Sequence, residues 1–401
     1  MRLLHVSDLH IGKRVNGIPM IDDQVFIFDA LVKTAKDERV DAILIAGDIY
    51  DKASPSAEAV AVFDSFLSAL AEAGVRVLAV PGNHDSAERI AYAQGLLAHQ
   101  GVCFPPVYEG EVAKVVLTDE HGPITFWLLP FLKPGDVRRF FPEADIGDDY
   151  AAAVRAALGA CPLDRSVRNV ILSHQLVTAF GVSPDRADDE IKLGGIDNVD
   201  VSVYDDFDYV ALGHVHRPQR VGRDTVRYAG SPLKYSFSEV RYDKSAVLVD
   251  LGPKCADDEV GSCVEFKLLP LTPLHDMREM SMTLEQLLAQ AADAGDEALD
   301  YLHITLTDEH PQIDAMAKIR EVFPNAMSVD YDNRALLEHR GRVRATLDPD
   351  KVDTVELFAR FYEEQLQTPM DEKQRAIVSR IVRAAEGERA RGTDAGEGGA
   401  R

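Results

Sequence analysis

The segment Val75–Asp85 reads VRVLAVPGNHD, and it decides how the rest of the chain is interpreted. Its first six residues form a short apolar run that is rich in β-branched side chains and closed by Pro-Gly, which predicts a buried parallel strand. Open α/β sheets build their sites at the carboxyl ends of such strands. We therefore expect Asn83 to offer its carbonyl oxygen to a metal ion and His84 to exchange a proton beside it. Taken alone, an Asn-His pair would more often be only a turn.

Four other predicted strand ends carry side chains that bind metals. Residues 2–7, 42–46, 167–172 and 209–212 all read as buried strands. Residues i and i+2 of an extended segment face the same side, so both members of an Asp-x-His or His-x-His pair can reach one ion. Each pattern alone also fits a polar strand end or a structural histidine. The residues that these four ends supply are Asp8, His10, Asp48, His174, His214 and His216.

A second set of polar residues accompanies these strand ends. Asp51 follows Asp48 by three residues and fits either an acceptor that orients a ligand or a helix or turn cap. Residues 217–244 are rich in Lys and Arg, which fits either a phosphate-facing patch or a solvated hairpin surface. We expect a role behind the metal ligands or against a substrate phosphate for Asp51, Lys13, Arg14, Arg217 and Ser231.

The composition predicts a globular protein of the cytoplasm. The 401 residues are enough for two or three domains, and a hydrophobic fraction of 46% is ordinary for a globular chain. No run of about 18 apolar residues predicts a membrane span. The N-terminal residues read as a strand rather than a signal peptide, and the four cysteines form no Cys-x-x-Cys pair. These features together favour a reducing compartment and no membrane partner.

The net charge of −24 argues against indiscriminate binding to nucleic acid, which normally depends on a basic surface. It does not exclude an enzyme that acts on nucleic acid. Metal ions can neutralise several of the acidic side chains, and a partner subunit can carry the surface that binds DNA.

The chain divides into segments of different character. Alternating strands and helices in residues 1–252 predict a layered α/β domain. Residues 265–345 predict a small α/β module without catalytic clusters. Residues 353–385 place apolar side chains at helical spacing in two segments around Thr368-Pro369, which fits a docking element for another protein or packing on the chain itself. Residues 387–401 are rich in Gly, Glu and Arg and predict a disordered tail.

Seven ligands, one of them a bridging carboxylate, are what two adjacent metal ions need. Mixed oxygen and imidazole donors suit manganese, iron or zinc better than calcium or magnesium alone. Two ions about 3.5–4 Å apart can hold a hydroxide and stabilise the attacking and leaving oxygens of an in-line phosphoryl displacement. We expect His84 to act as the general acid towards the leaving oxygen or to steady a phosphoryl oxygen.

The motifs, in chain order, are Asp-x-His, Gly-Asp-x-x-Asp, Gly-Asn-His-Asp, a single His and Gly-His-x-His. As a set they resemble the calcineurin-like metallophosphoesterases. SDLHIG at residues 7–12, GDIYD at 47–51, and YAGSP at 228–232 followed by SFSE at 236–239 resemble the bacterial SbcD nuclease family. This resemblance implies an α/β fold, a four-layer α/β/β/α sandwich with a small α/β capping domain and C-terminal helices. The module at 265–345 would be the capping domain.

The resemblance also implies a site, an activity and partners. Two Mn²⁺ ions are implied, with Fe, Zn or Mg as alternatives. The activity would be that of a DNA nuclease, a 3′–5′ double-strand exonuclease and an endonuclease on DNA ends and hairpins, in repair, replication and recombination. The helices at 353–385 would dock on an SbcC-like ATPase, with a homodimer of this chain inside a heterotetramer. One ion would be held by Asp8, His10, Asp48 and His216, and the other by Asp48, Asn83, His174 and His214.

Two alternatives belong to other classes of function. A phosphodiesterase for cyclic nucleotides or nucleotides would use the same metals, but it would not need the extra module, the terminal helices or the local basic residues. A non-catalytic scaffold subunit would have no need for seven intact ligands.

Overall fold

A computed structural model describes most of the chain. The described residues are 1–179, 181–186, 197–254, 263–290, 294–308, 310, 312–332, 354–366 and 369–393. Residues 333–345 of the predicted module, residues 353 and 367–368 of the predicted docking element and residues 394–401 of the predicted tail lie outside them.

Strands recur throughout the described residues up to position 331. They are β1 (Arg2–Val6), β2 (Arg14–Val15), β3 (Ile18–Pro19), β4 (Ala42–Ala46), β5 (Arg76–Val80), β6 (Val102–Cys103), β7 (Ala113–Asp119), β8 (Gly122–Leu129), β9 (Arg168–His174), β10 (Leu176–Thr178), β11 (Asn198–Asp200), β12 (Tyr209–Gly213), β13 (Gln219–Val221), β14 (Arg223–Tyr228), β15 (Ser245–Leu251), β16 (Val264–Pro270), β17 (Met277–Met282), β18 (Tyr301–Leu306) and β19 (Ala326–Tyr331).

The helices alternate with the strands in the first part of the chain and follow them in the last. They are α1 (Ile21–Asp37), α2 (Ala57–Glu72), α3 (Ala87–Ile90), α4 (Gln94–Ala98), α5 (Pro134–Arg138), α6 (Tyr150–Gly159), α7 (Leu284–Gln290), α8 (Ala315–Arg320), α9 (Thr354–Leu366) and α10 (Glu372–Thr393). Local sequence sets several of the starts. The Ser56 side chain accepts a hydrogen bond from the backbone N–H of Ala59 and so caps α2.

Two six-stranded sheets form the body of the molecule. The first has the order β16-β15-β1-β4-β5-β6, and β1, β4, β5 and β6 run parallel to one another. The second has the order β13-β14-β12-β9-β8-β7, with parallel β8, β9, β12 and β14 between antiparallel edge strands. Parallel pairing places the carboxyl ends of neighbouring strands at the same edge of each sheet.

Three apolar layers separate these sheets and their helices. Alternate residues of β4 face opposite sides, so that Leu44 packs between the two sheets while Ile43 faces α1 and α2. The rings of Phe28 and Phe66 stack on this outer side with their centroids 4.8 Å apart. On the far side of the second sheet, Val154 of α6 joins a third buried cluster. This arrangement confirms the predicted four-layer α/β/β/α sandwich.

A smaller sheet, with the order β17-β18-β19, follows the sandwich, and the helices α7 and α8 of the same segment contact each other. It belongs to the same compact unit, which comprises residues 1–308 and 312–330. Asp23 of α1 joins the two parts, because it accepts hydrogen bonds from the Tyr301 hydroxyl at 2.6 Å and from the backbone N–H of His275 at 3.0 Å. The structure differs from the sequence reading at residues 264–270, since this strand, β16, extends the first sheet rather than opening the module.

The remaining described residues, which are 310, 331–332, 354–366 and 369–393, belong to a second compact unit. Its helices α9 and α10 contact each other through a hydrogen bond of 2.9 Å from Gln374 Nε2 to the Tyr362 hydroxyl. Because α10 continues to Thr393, the predicted disordered tail is wrong for residues 387–393, where helix replaces it. Among the described helices, none is both long and apolar enough to cross a bilayer.

A histidine lies inside the core between the sheets. His5 is fully buried, and its Nε2 lies 3.1 Å from the carbonyl oxygen of Leu212, which can only accept a hydrogen bond. The other ring nitrogen, Nδ1, lies 3.0 Å from the Tyr209 hydroxyl. Burial lowers the pKa of His5 to about 3, against the weaker opposing effect of the Leu212 hydrogen bond.

Because His5 is buried and neutral, we expect the folded protein to lose stability as the pH falls. Below the ordinary pKa of 6.5 the unfolded chain binds a proton that the folded chain does not bind until about pH 3. The free energy of unfolding should therefore fall as the pH falls through this window, by roughly 4–5 kcal/mol from His5 alone. His5→Gln should flatten that slope, measured by urea denaturation of metal-free protein with the fluorescence of the buried Trp127. The exposed control His121→Gln should keep it, and equal slopes for both variants would contradict the assignment.

Candidate metal centre

The predicted metal-binding residues lie together where strands of both sheets end. β1, β4 and β5 are parallel neighbours in the first sheet, and β9 and β12 are parallel neighbours in the second. The two edges meet directly, because His174 Nδ1 at the end of β9 lies 2.7 Å from the carbonyl oxygen of Ala46 at the end of β4. Residues from all five ends surround one region, namely Asp8, His10, Asp48, Asn83, His84, His174, His214 and His216.

The backbone at this region adopts conformations that side chains other than glycine rarely tolerate. Four of the predicted ligands have positive φ angles. Such strained residues persist where the surrounding structure enforces them, and they concentrate at functional sites. The angles are 53° for Asp8, 44° for His10, 48° for Asp48 and 103° for His214.

A first cluster consists of Asp8, His10 and His216. All three are buried, and one ligand atom of each lies within 4.8 Å of the others. The two imidazole nitrogens His10 Nε2 and His216 Nε2 are 3.1 Å apart, so their lone-pair sides converge. The Asp8 carboxylate is fixed by the Ser7 hydroxyl at 2.6 Å.

A second cluster is built around the Asn83 side chain. Its carbonyl oxygen, Oδ1, lies 3.1 Å from His174 Nε2 and 2.9 Å from His214 Nδ1. The Asp48 carboxylate also approaches His174, with 3.3 Å between Asp48 Oδ2 and His174 Nε2. One amide oxygen, one carboxylate and two imidazoles therefore face one another.

Asp48 lies between the two clusters. Its Oδ2 is 3.3 Å from His174 Nε2 on one side and 3.7 Å from His10 Nε2 on the other. Its Oδ1 accepts a hydrogen bond of 2.8 Å from the backbone N–H of His84. A carboxylate in this position can serve both clusters at once.

The electrostatics of the centre favour a bound cation. Burial alone would lower the pKa of His174, but the Asp48 and Asp8 carboxylates outweigh it and raise this pKa to about 9. Burial would likewise raise the pKa of Asp48, yet His174 holds it well below its usual range. Without a metal, the Asp48 carboxylate is thus ionised and pairs with a protonated His174, and a metal ion that binds there would displace this proton. Burial lowers the pKa of His10 well below its ordinary value, which keeps this imidazole neutral and able to donate a lone pair.

His84 lies at the open side of the centre. Its Nδ1 is 2.9 Å from the carbonyl oxygen of Asp51, which can only accept, so Nδ1 carries a proton. Its Nε2 lies 4.0 Å from Asp48 Oδ2, and its side chain is 41% exposed. This histidine therefore faces both the clusters and solvent.

Two residues that support the centre had no role in the sequence reading. The Asp85 carboxylate accepts hydrogen bonds from the backbone N–H groups of Ile49, Tyr50 and Gly82, at 2.9–3.0 Å, and so ties the loops after β4 and β5 together. Its position directly after Gly-Asn-His was the available signal. Gln24 of α1 donates to the carbonyl oxygen of His10 at 2.8 Å, and a glutamine within a helix gives no such signal in the sequence.

The residues predicted to lie behind the metal ligands or against a substrate phosphate are found in different surroundings. Lys13 lies 3.1 Å from Asp51, whose carboxylate lies 3.9 Å from His10 Nδ1, so this ammonium belongs to the rim of the centre. Arg14 is exposed and donates to the carbonyl oxygen of Gly17, and Arg217 forms an ion pair with Asp185. Ser231 is fully buried and donates to the carbonyl oxygen of Leu233 at 2.8 Å, which excludes direct contact with a substrate phosphate in this conformation.

The basic residues between positions 217 and 244 do not form one exposed patch. Lys244 and Arg227 are buried, and Arg223 donates to the backbone carbonyl oxygens of Tyr204 and Phe207. Their positive charges serve internal contacts, which a count of basic residues could not reveal.

Three observations show that the residues suit a pair of metal ions. The donors are carboxylate, amide and imidazole groups, the set that divalent transition metals prefer. His10 Nε2 and His216 Nε2 lie 3.1 Å apart, and a ligand atom of Asp8 lies within 4.8 Å of these two residues' ligand atoms, so one ion can contact all three side chains. At positions 47 and 82 a side chain would collide with the predicted ligands. A Cβ at Gly47 would lie 2.2 Å from His174 Nδ1, and a Cβ at Gly82 would lie 2.2 Å from Asp48 Oδ1. The clusters therefore indicate a dimetal site.

Gly82→Ala tests this packing. The added Cβ would force the Asp48 carboxylate to move, so we expect divalent-cation affinity to fall about tenfold or more and stability to fall by about 1–3 kcal/mol. Gly159→Ala is the control, because a Cβ there meets no described atom within 4 Å. Calorimetric titration with Mn²⁺ and urea denaturation measure both effects. Wild-type affinity in Gly82→Ala would contradict the assigned role of Asp48.

Comparisons with known proteins place this centre in a family. The sequence model of the calcineurin-like phosphoesterase family matches residues 1–218, more than half of the chain. A second model, described as the type 5 capsule protein repressor C-terminal domain and named for SbcD, matches residues 273–365.

Two solved structures give weaker matches. A dimetal phosphatase from Danio rerio is 13% identical, with a TM-score of 0.37, and the alignment covers 62% of this chain and 92% of the phosphatase. A psychrophilic β-glucosidase, BglU from Micrococcus antarcticus, is 11% identical, with a TM-score of 0.21 and coverage of 82% and 83%.

The family assignment rests on the two sequence models and agrees with the independent geometry of the centre. The match to the first model spans all five strand ends that carry the predicted ligands. This chain belongs to the calcineurin-like phosphoesterase family of phosphoester hydrolases and carries an SbcD-type C-terminal domain.

Proposed function

We propose that this protein is a metal-dependent DNA nuclease of the SbcD type, a 3′–5′ double-strand exonuclease and an endonuclease on DNA ends and hairpins. The observation that carries the proposal is the position of Asp48, between two clusters of buried ligands and beside the exposed His84. This arrangement suits hydrolysis of a phosphodiester that approaches from solvent. The SbcD-type domain at residues 273–365 supports DNA as the substrate.

The proposed ligand sets follow from the two clusters. Asp8, His10 and His216 would hold one ion together with Asp48. Asn83, His174 and His214 would hold the other, again with Asp48. Manganese is the metal that we propose, with iron, zinc or magnesium as alternatives. When bound, the pair of ions would activate water and offset the charge that develops on the phosphoryl oxygens.

The protein's own residues would then position and protonate the substrate. His84 is held by the Asp51 carbonyl oxygen through Nδ1, which leaves Nε2 facing the centre. From there Nε2 can deliver a proton to the leaving oxygen or donate a hydrogen bond to a phosphoryl oxygen. Lys13, at the rim, can contact a neighbouring phosphate of the DNA backbone.

Partner proteins would supply the affinity for DNA that this acidic chain lacks. With a net charge of −24, we propose that an SbcC-like ATPase provides much of the DNA affinity. Its docking site would be α9 and α10, where Leu357, Ile377 and Ile381 are exposed. We also propose that two copies of this chain form a homodimer within a heterotetramer with the ATPase. Sedimentation analysis of the purified chain would detect this homodimer. We propose that the complex is located in the cytoplasm.

Cleavage of labelled DNA tests the proposal. Wild-type protein with Mn²⁺ should cut a duplex end and a hairpin. His84→Ala should lose about 10²–10⁴-fold in rate while it retains its metal, because only proton delivery is removed. Asp48→Ala should lose both activity and metal. His99→Ala, an exposed histidine away from the centre, is the control and should cut like the wild type.

Other outcomes would contradict the proposal. If wild-type protein left DNA intact alone and with an SbcC-like ATPase, yet hydrolysed a small aryl phosphodiester, the hydrolytic centre would stand and the nuclease assignment would fail. If His84→Ala cut DNA at the wild-type rate, the role of His84 would fail.

A further inference from the structure

A buried carboxylate outside both ligand clusters contacts one of the predicted ligands. Glu239 is fully buried, and its Oε1 lies 2.9 Å from His216 Nδ1. It lies in a short 3₁₀ turn, Phe237–Glu239, twenty-three residues after His216 in the sequence. We propose that Glu239 is a positioning residue that fixes the ring orientation and the tautomer of His216 for metal binding. The inference rests on the proposed dimetal function.

The hydrogen bond determines which nitrogen of His216 can bind a metal. An ionised carboxylate only accepts hydrogen bonds, so the proton of the neutral imidazole is held on Nδ1. Nε2 then keeps its lone pair, and it is this atom that lies 3.1 Å from His10 Nε2 inside the first cluster. A carboxylate behind a metal-binding histidine also makes the imidazole a stronger donor.

Lys244 keeps this carboxylate ionised and in place. Its side chain is buried, and Nζ donates to Glu239 Oε2 at 2.5 Å and to the Ser231 hydroxyl at 2.7 Å. The same ammonium donates to the carbonyl oxygen of His216 at 3.0 Å, so it fixes the backbone of the histidine whose ring Glu239 fixes. Ser231, which the sequence reading assigned to a support role or a substrate phosphate, takes part in this support.

The loop that follows β14 is shaped around the same histidine. The backbone N–H of Ser231 donates to the His216 carbonyl oxygen at 3.2 Å. Gly230 has a φ of +78°, and a Cβ at this position would lie 2.6 Å from that oxygen. Backbone, ammonium and carboxylate thus all converge on His216 from outside the clusters.

Stability alone is a weak explanation for this network. A buried ion pair must recover a large desolvation cost, and well-packed apolar residues of similar volume are often as stable or more stable. Glu239 and Lys244 could therefore be replaced by apolar side chains if they served only the core. Their shared contact with His216 explains why charged groups occupy these positions.

A paired replacement separates positioning from packing. Glu239→Leu together with Lys244→Met removes both charges and leaves neither one buried alone. Asp208→Asn together with Lys254→Met is the matched control, because this carboxylate and ammonium lie 2.8 Å apart, away from the clusters. Calorimetric titration with Mn²⁺ gives the stoichiometry and the two affinities, and urea denaturation of the metal-free protein gives the stability.

We expect the Glu239/Lys244 double variant to bind one of its two Mn²⁺ ions about 10–100-fold more weakly, with the metal-free stability of the wild type or higher. The Asp208/Lys254 control should bind both ions with wild-type affinity. Glu239→Gln, which retains the volume and an oxygen acceptor but loses the charge, should weaken the same ion and serves as the second test if the double variant fails to fold.

The inference would be overturned if the folded double variant, or Glu239→Gln, bound both ions with wild-type affinity. A loss of affinity for both ions that merely followed a loss of stability would overturn it as well, since that pattern reports packing. A wild-type chain that bound no pair of ions would instead overturn the proposed function, and this inference with it.

Discussion

The Asp48 carboxylate is the constraint on which the centre depends. Its Oδ2 faces His174 at 3.3 Å and His10 at 3.7 Å, and its Oδ1 accepts the backbone N–H of His84. These contacts link the ends of β1, β4 and β9 and the loop after β5. A displaced Asp48 carboxylate would therefore disturb both clusters and the orientation of His84 together.

The arrangement of the two sheets brings these strand ends into contact. The parallel strands of each sheet end at the same edge, and the apolar layer between the sheets holds these edges against each other. The approach is so close that a Cβ at Gly213 would lie 1.8 Å from the Ala46 carbonyl oxygen. The positive φ angles of Asp8, Asp48 and His214 are a further cost that the packed core must support.

Sequence patterns predict the layers and the meeting of the strand ends, because period-two burial and Gly-terminated apolar runs are local signals. These patterns fail where contacts between residues distant in the sequence determine the structure. β16 looks like the start of a new module, yet it pairs with β15. Lys244 looks like a surface charge, yet it is buried, paired with the Glu239 carboxylate and hydrogen-bonded to the Ser231 hydroxyl. Residues 387–393 have a composition typical of disorder, yet they continue α10.

The central claim is that two metal ions share Asp48. Crystals of the Mn²⁺-loaded protein, measured on both sides of the manganese absorption edge, test it most directly. We predict two anomalous peaks about 3.5–4 Å apart, with Asp48 in contact with both, His216 beside one and His174 beside the other. A single peak, or two peaks that do not share Asp48, would contradict the account.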